Sequence, residues 1–205
     1  MDKLRKYIDY FFKLNNCEWE ELTALFTQIT YKKGDIIYGF SEEQKKLCFI
    51  VDGAVRSYKL DDNGKDYTWE FYCLNNDSIE HRMLINVCMV DYVSFIKNQP
   101  SDLTFEVLQD SVLMCISQED LERLYNSSVR WQKFARIMAE DAYCATQHRT
   151  ISLLTKNAQQ RLEEIERYFP QVFERKILLD HIASYIGITR QTLNRIRKEQ
   201  LAKRI

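Results

Sequence analysis

At 205 residues, with 45% hydrophobic and 13% aromatic residues, the chain carries enough apolar surface for one large core or two modest domains, which excludes a disordered polypeptide. Its formal net charge of −1 hides an asymmetry: from Arg175 to Ile205 eight basic residues stand against two acidic ones, a local +6 that leaves −7 to residues 1–174. An acidic body with a basic terminal module is what is expected when only one end of a protein meets phosphate.

The chain opens with apolar residues at helical spacing over Leu4 to Phe12 and Trp19 to Phe26, separated by Asn15-Asn16-Cys17, which predicts two short helices against the side of a sheet domain. The period then shortens. Ile29–Tyr31, Asp35–Tyr38, Leu47–Val51, Ala54–Leu60, Tyr67–Phe71 and Leu103–Ile116 are rich in Ile, Val, Phe, Tyr and Leu and are broken by Gly34, Gly39, Gly53 and the Asp61–Gly64 turn. Such spacing predicts an antiparallel barrel or double-sheet jelly roll, with Asp52-Gly53 and Asn63-Gly64 as hairpin turns. Residues 75–90 fit this scheme poorly and read as an insertion carrying Glu80, His81 and Arg82.

From about Ser128 the helical period returns. Trp131, Phe134, Ala135, Met138, Ala142, Ala145 and Arg149 follow a spacing of three and four, and neither proline nor glycine interrupts Leu121 to Phe169. Large residues mixed with alanines suit a close helix pair, so these seven are expected at the centre of a homodimer; packing on the chain's own barrel is the other reading. Thr155 is expected to begin a further helix, with Ala158, Leu162 and Ile165 on one face, ending before Pro170. Phe169, Phe173 and Ile177 would pack it against the first helix of the terminal module.

The most specific stretch is Leu178 to Lys198. Ile182, Ala183 and Ile186 share one face, Gly187 stands where two helices turn, Thr189 caps, and Leu193 and Ile196 form a narrow apolar stripe. The other faces carry Arg190, Gln191, Thr192, Asn194, Arg195, Arg197 and Lys198. This is a helix-turn-helix pattern, with a recognition helix from about Thr189 to Glu199; an ordinary helical hairpin with a solvated face is the plainer alternative.

The order of parts resembles the cyclic-AMP receptor protein and fumarate-nitrate regulator (Crp/Fnr) family of bacterial transcription factors over nearly the whole chain, and among them the short members common in the Bacteroidetes. The residues that carry the resemblance are Lys33–Tyr38, Phe49–Arg56, the strands around Phe105 to Ile116 and, above all, Ile182–Ile196. It implies an α+β fold: a jelly-roll, cyclic-nucleotide-binding-like domain with leading helices over 1–127, a long dimerisation helix over 128–153, and a helix-turn-helix domain over 154–205 without a complete wing, its phosphate contacts taken over by the basic tail. It also implies base reading by Arg190, Gln191 and Arg195, phosphate contact or capping by Thr189 and Thr192, and backbone contact by Asn194, Arg197 and Lys198.

Family members that bind cyclic AMP hold its phosphate with an arginine. The matching stretch here, Val90 to Thr104, has none, and Asp102 adds negative charge, so cyclic AMP is not expected. Asp91, Ser94, Ser101 and Thr104 are the candidates for lining a pocket for an unknown small-molecule effector, against a filled, ligandless barrel. The family's iron-sulfur branch uses clustered N-terminal cysteines, and only Cys17 stands there.

The six cysteines form no CxxC pair and are expected as reduced, mostly buried thiols, with no metal and no cofactor. His81 and His148 are isolated, and His181 is assigned to backbone or phosphate contact. No Ser-His-Asp spacing, glycine-rich phosphate loop or HExxH occurs, so an enzyme is not expected. No apolar run has the length of a signal peptide or membrane span, which points to a cytoplasmic protein. The expected partners are double-stranded DNA, a second copy of the chain and RNA polymerase; the alternative is a regulator acting chiefly through protein partners, with weak DNA binding of its own.

Overall fold

The computed structural model describes residues 2–73 and 87–202. Glu80, His81 and Arg82 lie outside them.

Two helices lead, α1 (Asp2–Phe11) and α2 (Asn16–Ala24). Asn15 caps α2 in a reciprocal box: its side chain accepts from the Glu18 amide at 2.9 Å, and its own amide donates to the Glu18 carboxylate at 2.9 Å. Six strands come next as an antiparallel sheet: β1 (Phe26–Tyr31), β2 (Ile36–Tyr38), β3 (Lys46–Leu60), β4 (Asp66–Tyr72), β5 (Cys88–Met89) and β6 (Thr104–Ser117). The main path runs β1-β6-β3-β4, with β2 paired to β6 and β5 to β3. A short helix, α3 (Tyr92–Lys97), precedes β6.

The Asp61–Gly64 turn joins β3 to β4 as expected. Asp61 Oδ1 accepts from the amides of Asn63 and Lys65, both at 2.9 Å, and Gly64 has φ +77°. Asp52-Gly53, expected as a second hairpin turn, instead lies inside one continuous strand. β3 bulges there against β6, with register shifts on both sides of Asp52. Gly53 has φ +93°, and a Cβ on it would lie 2.6 Å from the Asp110 carbonyl oxygen and the Ser111 Cα. A glycine at positive φ serves a bulge as well as a turn, so the dipeptide alone does not distinguish them.

Beyond the sheet come α4 (Gln118–Ser127), α5 (Val129–Thr155), α6 (Ala158–Tyr168), α7 (Gln171–Glu174), α8 (Leu179–Tyr185) and α9 (Arg190–Ala202). The helical run expected across residues 121–169 is broken twice without glycine or proline. Ser128 is extended, at φ −161° and ψ 153°, between α4 and α5. Asn157, not Thr155, caps α6, exchanging bonds with Gln160 at 3.0 Å each way. Thr155 is the last residue of α5 and bonds back to the Ile151 carbonyl.

Three interiors hold these parts. The barrel is filled by Cys48, Ile50, Val55, Tyr72, Met89, Phe105, Val107, Leu113 and Cys115. Leu4, Ile8 and Leu22 of the leading helices pack with Phe49 and Met114. A third core, shared by Phe71 and Cys73 with Leu162, Phe169, Ile182, Leu193 and Ile196, binds the terminal helices to the sheet. Each fully buried Leu or Ile there contributes about 1.5–3 kcal/mol relative to exposure.

Cys48 and Cys115 are register partners on β3 and β6 and are joined as a disulfide, which corrects the expectation of six reduced thiols. One cysteine per element and the absence of a CxxC pair do not reveal which strands lie side by side. Burial pushes the thiols of Cys73 and Cys88 up to about 12, so both act as apolar fillers.

Candidate nucleic-acid interface

The terminal module is built from its apolar spacing. Ile182, Ala183, Leu193 and Ile196 are buried and hold α8 against α9. The turn between them closes α8 in a left-handed cap: Gly187, at φ +68°, donates to the Ser184 carbonyl at 3.1 Å, and the Ile188 amide donates to the Ala183 carbonyl at 2.9 Å. Thr189 then opens α9, its hydroxyl accepting from the Thr192 amide at 3.2 Å. This leaves Thr192 half-buried and bonded to its own helix end, at 3.0 Å from the Thr189 hydroxyl.

Arg190, Gln191, Arg195 and Lys198 are exposed along the outer side of α9. Arg190 is held by Asp180 at 2.8 Å and Arg195 by Glu199 at 2.8 Å. Exposed pairs of this kind contribute about 0–1 kcal/mol, so either guanidinium can exchange its carboxylate for another acceptor. Asn194 and Arg197 are half-buried, and the Arg197 guanidinium sits 5.7 Å from the centre of the Phe173 ring. Arg197 thus has a packing role that its position in the charge pattern does not reveal.

His181, assigned to DNA contact, turns the other way. Its pKa is lowered by burial and by the charge of Arg56, which places it toward the barrel. Arg56 is itself the centre of an ionic cluster, bound to Glu106 at 2.7 Å, to Asp66 at 2.6 Å and to the Thr68 hydroxyl at 3.2 Å.

The four residues expected to line an effector pocket do not form one. Asp91 caps α3, accepting from Val93 and Ser94 amides, and receives the Ser101 hydroxyl at 2.7 Å. Ser94 donates to the Gln99 carbonyl at 2.6 Å and accepts from the Gln44 amide at 3.3 Å. Thr104 is paired with Tyr58 at the start of β6. Short polar side chains beside turns bond nearby backbone first, and here they lock the α3 loop. Asp102 is ion-paired with Lys59 at 2.7 Å.

The expected dimer stripe is also redistributed. Trp131 and Phe134 stack edge-on with Phe12, and Met138 accepts from the Tyr7 hydroxyl at 3.3 Å. Arg149 donates to the carbonyls of Trp69 at 2.6 Å and of Thr68 and Tyr185 at 3.1 Å. Those four belong to contacts within the chain. Ala135 and Ala145 are half-buried and Ala142 is exposed. Periodicity fixes which residues share a face but not what covers it. The opposite face of α5 shows Val129, Tyr143, Ile151 and Leu154, with Tyr143 68% and Leu154 79% exposed.

Two roles escape sequence reasoning altogether. Ser184 and Glu70 meet at the contact between α8 and β4, and a single serine or glutamate in a helix or strand gives no signal of that. Among the described residues no group of His, Cys, Asp and Glu is arranged to hold a metal ion, and no helix is long and apolar enough to cross a membrane.

Residues 28–128 match the cyclic nucleotide-binding domain family. Among solved structures, FixK2 of Bradyrhizobium japonicum is 21% identical, with a TM-score of 0.67 over 88% of this chain and 86% of that one. A chain from Eubacterium rectale assigned to the transcriptional regulators of the Crp/Fnr family is 18% identical, with a TM-score of 0.64 over 92% and 85%. The global regulator CLP of Xanthomonas campestris, described as c-di-GMP responsive, is 14% identical, with a TM-score of 0.64 over 90% and 91%. No curated protein matches by sequence. Residues 28–128 are therefore a cyclic nucleotide-binding domain, and by its fold the whole chain takes its place in the Crp/Fnr family of transcriptional regulators.

Proposed function

We propose that the protein is a sequence-specific, DNA-binding transcriptional regulator that acts in the cytoplasm as a homodimer and does not respond to cyclic AMP. The outer side of α9 carries this reading: Arg190, Gln191, Arg195 and Lys198 project from one helix anchored by the left-handed turn at Gly187. Arginine suits the paired acceptors of guanine, glutamine suits the adenine edge, and Lys198 suits phosphate. Thr189, Thr192 and Asn194 lie at the edge of the contact, and Arg197 supports it from the Phe173 side.

Dimerisation is assigned to the face of α5 that turns from its own chain, through Val129, Tyr143, Ile151 and Leu154. It would present two α9 helices to a palindromic site. The filled barrel, the absence of an arginine from Val90–Thr104 and the Lys59–Asp102 pair leave a cyclic phosphate without a clamp. Activation by such a regulator would pass through contact with RNA polymerase.

Selection of bound fragments from randomised duplex DNA across a salt series tests the reading. A two-fold symmetric motif with half-sites about one helical turn apart, and affinity that falls steeply with salt, is the expected result. Recovery of no motif, with shallow salt dependence, would move the protein to the class that acts through protein partners.

A further inference from the structure

Strand β4 stands at one end of the sheet path, paired with β3. The outer edge of such a strand normally offers its amides and carbonyls to water or to another strand. Here that edge is covered by side chains from two other elements. The Thr68 amide donates to Ser184 Oγ of α8 at 2.9 Å, and the same hydroxyl donates to the Asp66 carbonyl at 3.2 Å. Arg149 of α5 takes the carbonyls of Thr68 and Trp69 and also that of Tyr185 in α8. Its guanidinium lies 4.2 Å from the Tyr185 ring centre and 5.3 Å from that of Trp69. One arginine therefore touches the sheet, the long helix and the first helix of the helix-turn-helix. Beside it stands Glu70, whose carboxylate receives the Phe71 amide at 3.0 Å and the Tyr185 hydroxyl.

We propose that the free edge of β4 is the docking strip that sets the position of the helix-turn-helix, and that Glu70, through Arg149 and Tyr185, makes the docking depend on protonation. The groups that face Glu70 are Arg149 from α5, Tyr185 from α8, and Tyr72 and Cys73 from its own strand and its end; Asp91, Glu174 and Arg175 act on these last two from further out. Arg149 is the cation among these immediate neighbours, and it already serves three carbonyls. Burial accordingly outweighs it and pushes the Glu70 carboxyl up from an ordinary 4.5 to about 7. A carboxyl raised in the docked form binds its proton more tightly there than when released. Docking is fully supported below the ordinary value and weakens as pH rises through about 7. The consequence for DNA rests on the proposed function, but docking itself does not.

Amide hydrogen exchange on the full chain without DNA tests this. The peptides that contain Thr68 and Ser184 are followed from pH 5.5 to 8.5, with correction for intrinsic base catalysis. In the native protein, corrected exchange at the Thr68 peptide is expected to quicken by about tenfold across the window, the equivalent of one unit of differential protonation. Glu70→Gln, which carries the neutral group permanently, is expected to show slow exchange at every pH. Ser184→Ala is expected to quicken exchange uniformly. A flat profile in the native protein, or the same slope in Glu70→Gln, overturns the inference, and both readings stand whether or not the protein binds DNA.

Discussion

Arg56 and Arg195 are the same residue in opposite circumstances. Arg56 is 4% exposed and held by two carboxylates and a threonine, with its guanidinium 4.3 Å from the Tyr58 ring centre. Arg195 is 66% exposed and meets one glutamate on its own helix. The first is committed to the fold: removing it strands partly buried carboxylates. The second holds its partner loosely enough to exchange it. Net charge on a region does not separate the two cases, whereas the number of acceptors around each guanidinium does.

The contrast is broken most strongly from the Arg56 side. Arg56→Ala is expected to destabilise the protein by about 3 kcal/mol in urea unfolding, the low end for an ion pair broken on one side, because Asp66 and Glu106 retain some access to water. A loss under about 1 kcal/mol would place Arg56 with the surface pairs. Arg195→Ala should leave unfolding almost unchanged and reduce discrimination at one base position of a selected site by about 1–3 kcal/mol. Equal weakening for every DNA sequence would assign Arg195 to phosphate instead.

Gly187→Ala tests the frame that carries Arg195. A left-handed alanine costs about 1–2 kcal/mol, and its Cβ would meet Leu153 Cδ2 at 3.2 Å. Specific DNA binding should fall with it; unchanged thermal stability would show that the turn can relax.

Asp180→Asn sharpens the comparison at its weak end. The Arg190 pair should prove to be worth about 0–1 kcal/mol, and freeing Arg190 should raise DNA affinity at low salt if the pair competes with DNA. His181 gives the smallest effect. Its pKa is lowered from the ordinary 6.5, so the neutral form belongs to the fold. That contribution is complete above 6.5 and disappears as pH falls through the lowered value. The native protein should therefore lose Tm on acidification more steeply than His181→Gln, and parallel curves would remove His181 from the Arg56 cluster.

Local chemistry is the legible part of this molecule. Gly187, Thr189 and the spacing of Ile182, Leu193 and Ile196 announce their turn and helices because each acts within a few residues. The glycine at 53 misleads for the same reason: bulge and hairpin make one demand on φ, and only the length of the strand opposite separates them. Trp131, Phe134, Met138 and Arg149 do lie on a real helical stripe, but their neighbours are not the expected ones, since spacing contains no information about α1 or β4. The Asp91–Ser94–Ser101 group looks available for a ligand because its acceptors and donors are one another, across a loop that sequence does not close.

The covering of β4 by Ser184 and Arg149 also bears on how the protein behaves when crowded. A released helix-turn-helix would bare a strand edge next to the exposed rings of Tyr67 and Trp69, the sort of template on which a second chain can add its own strand. Conditions that loosen the dock should therefore show themselves first as concentration-dependent self-association rather than as unfolding, and Ser184→Ala should precipitate at lower concentration than the native protein while its Tm is little changed.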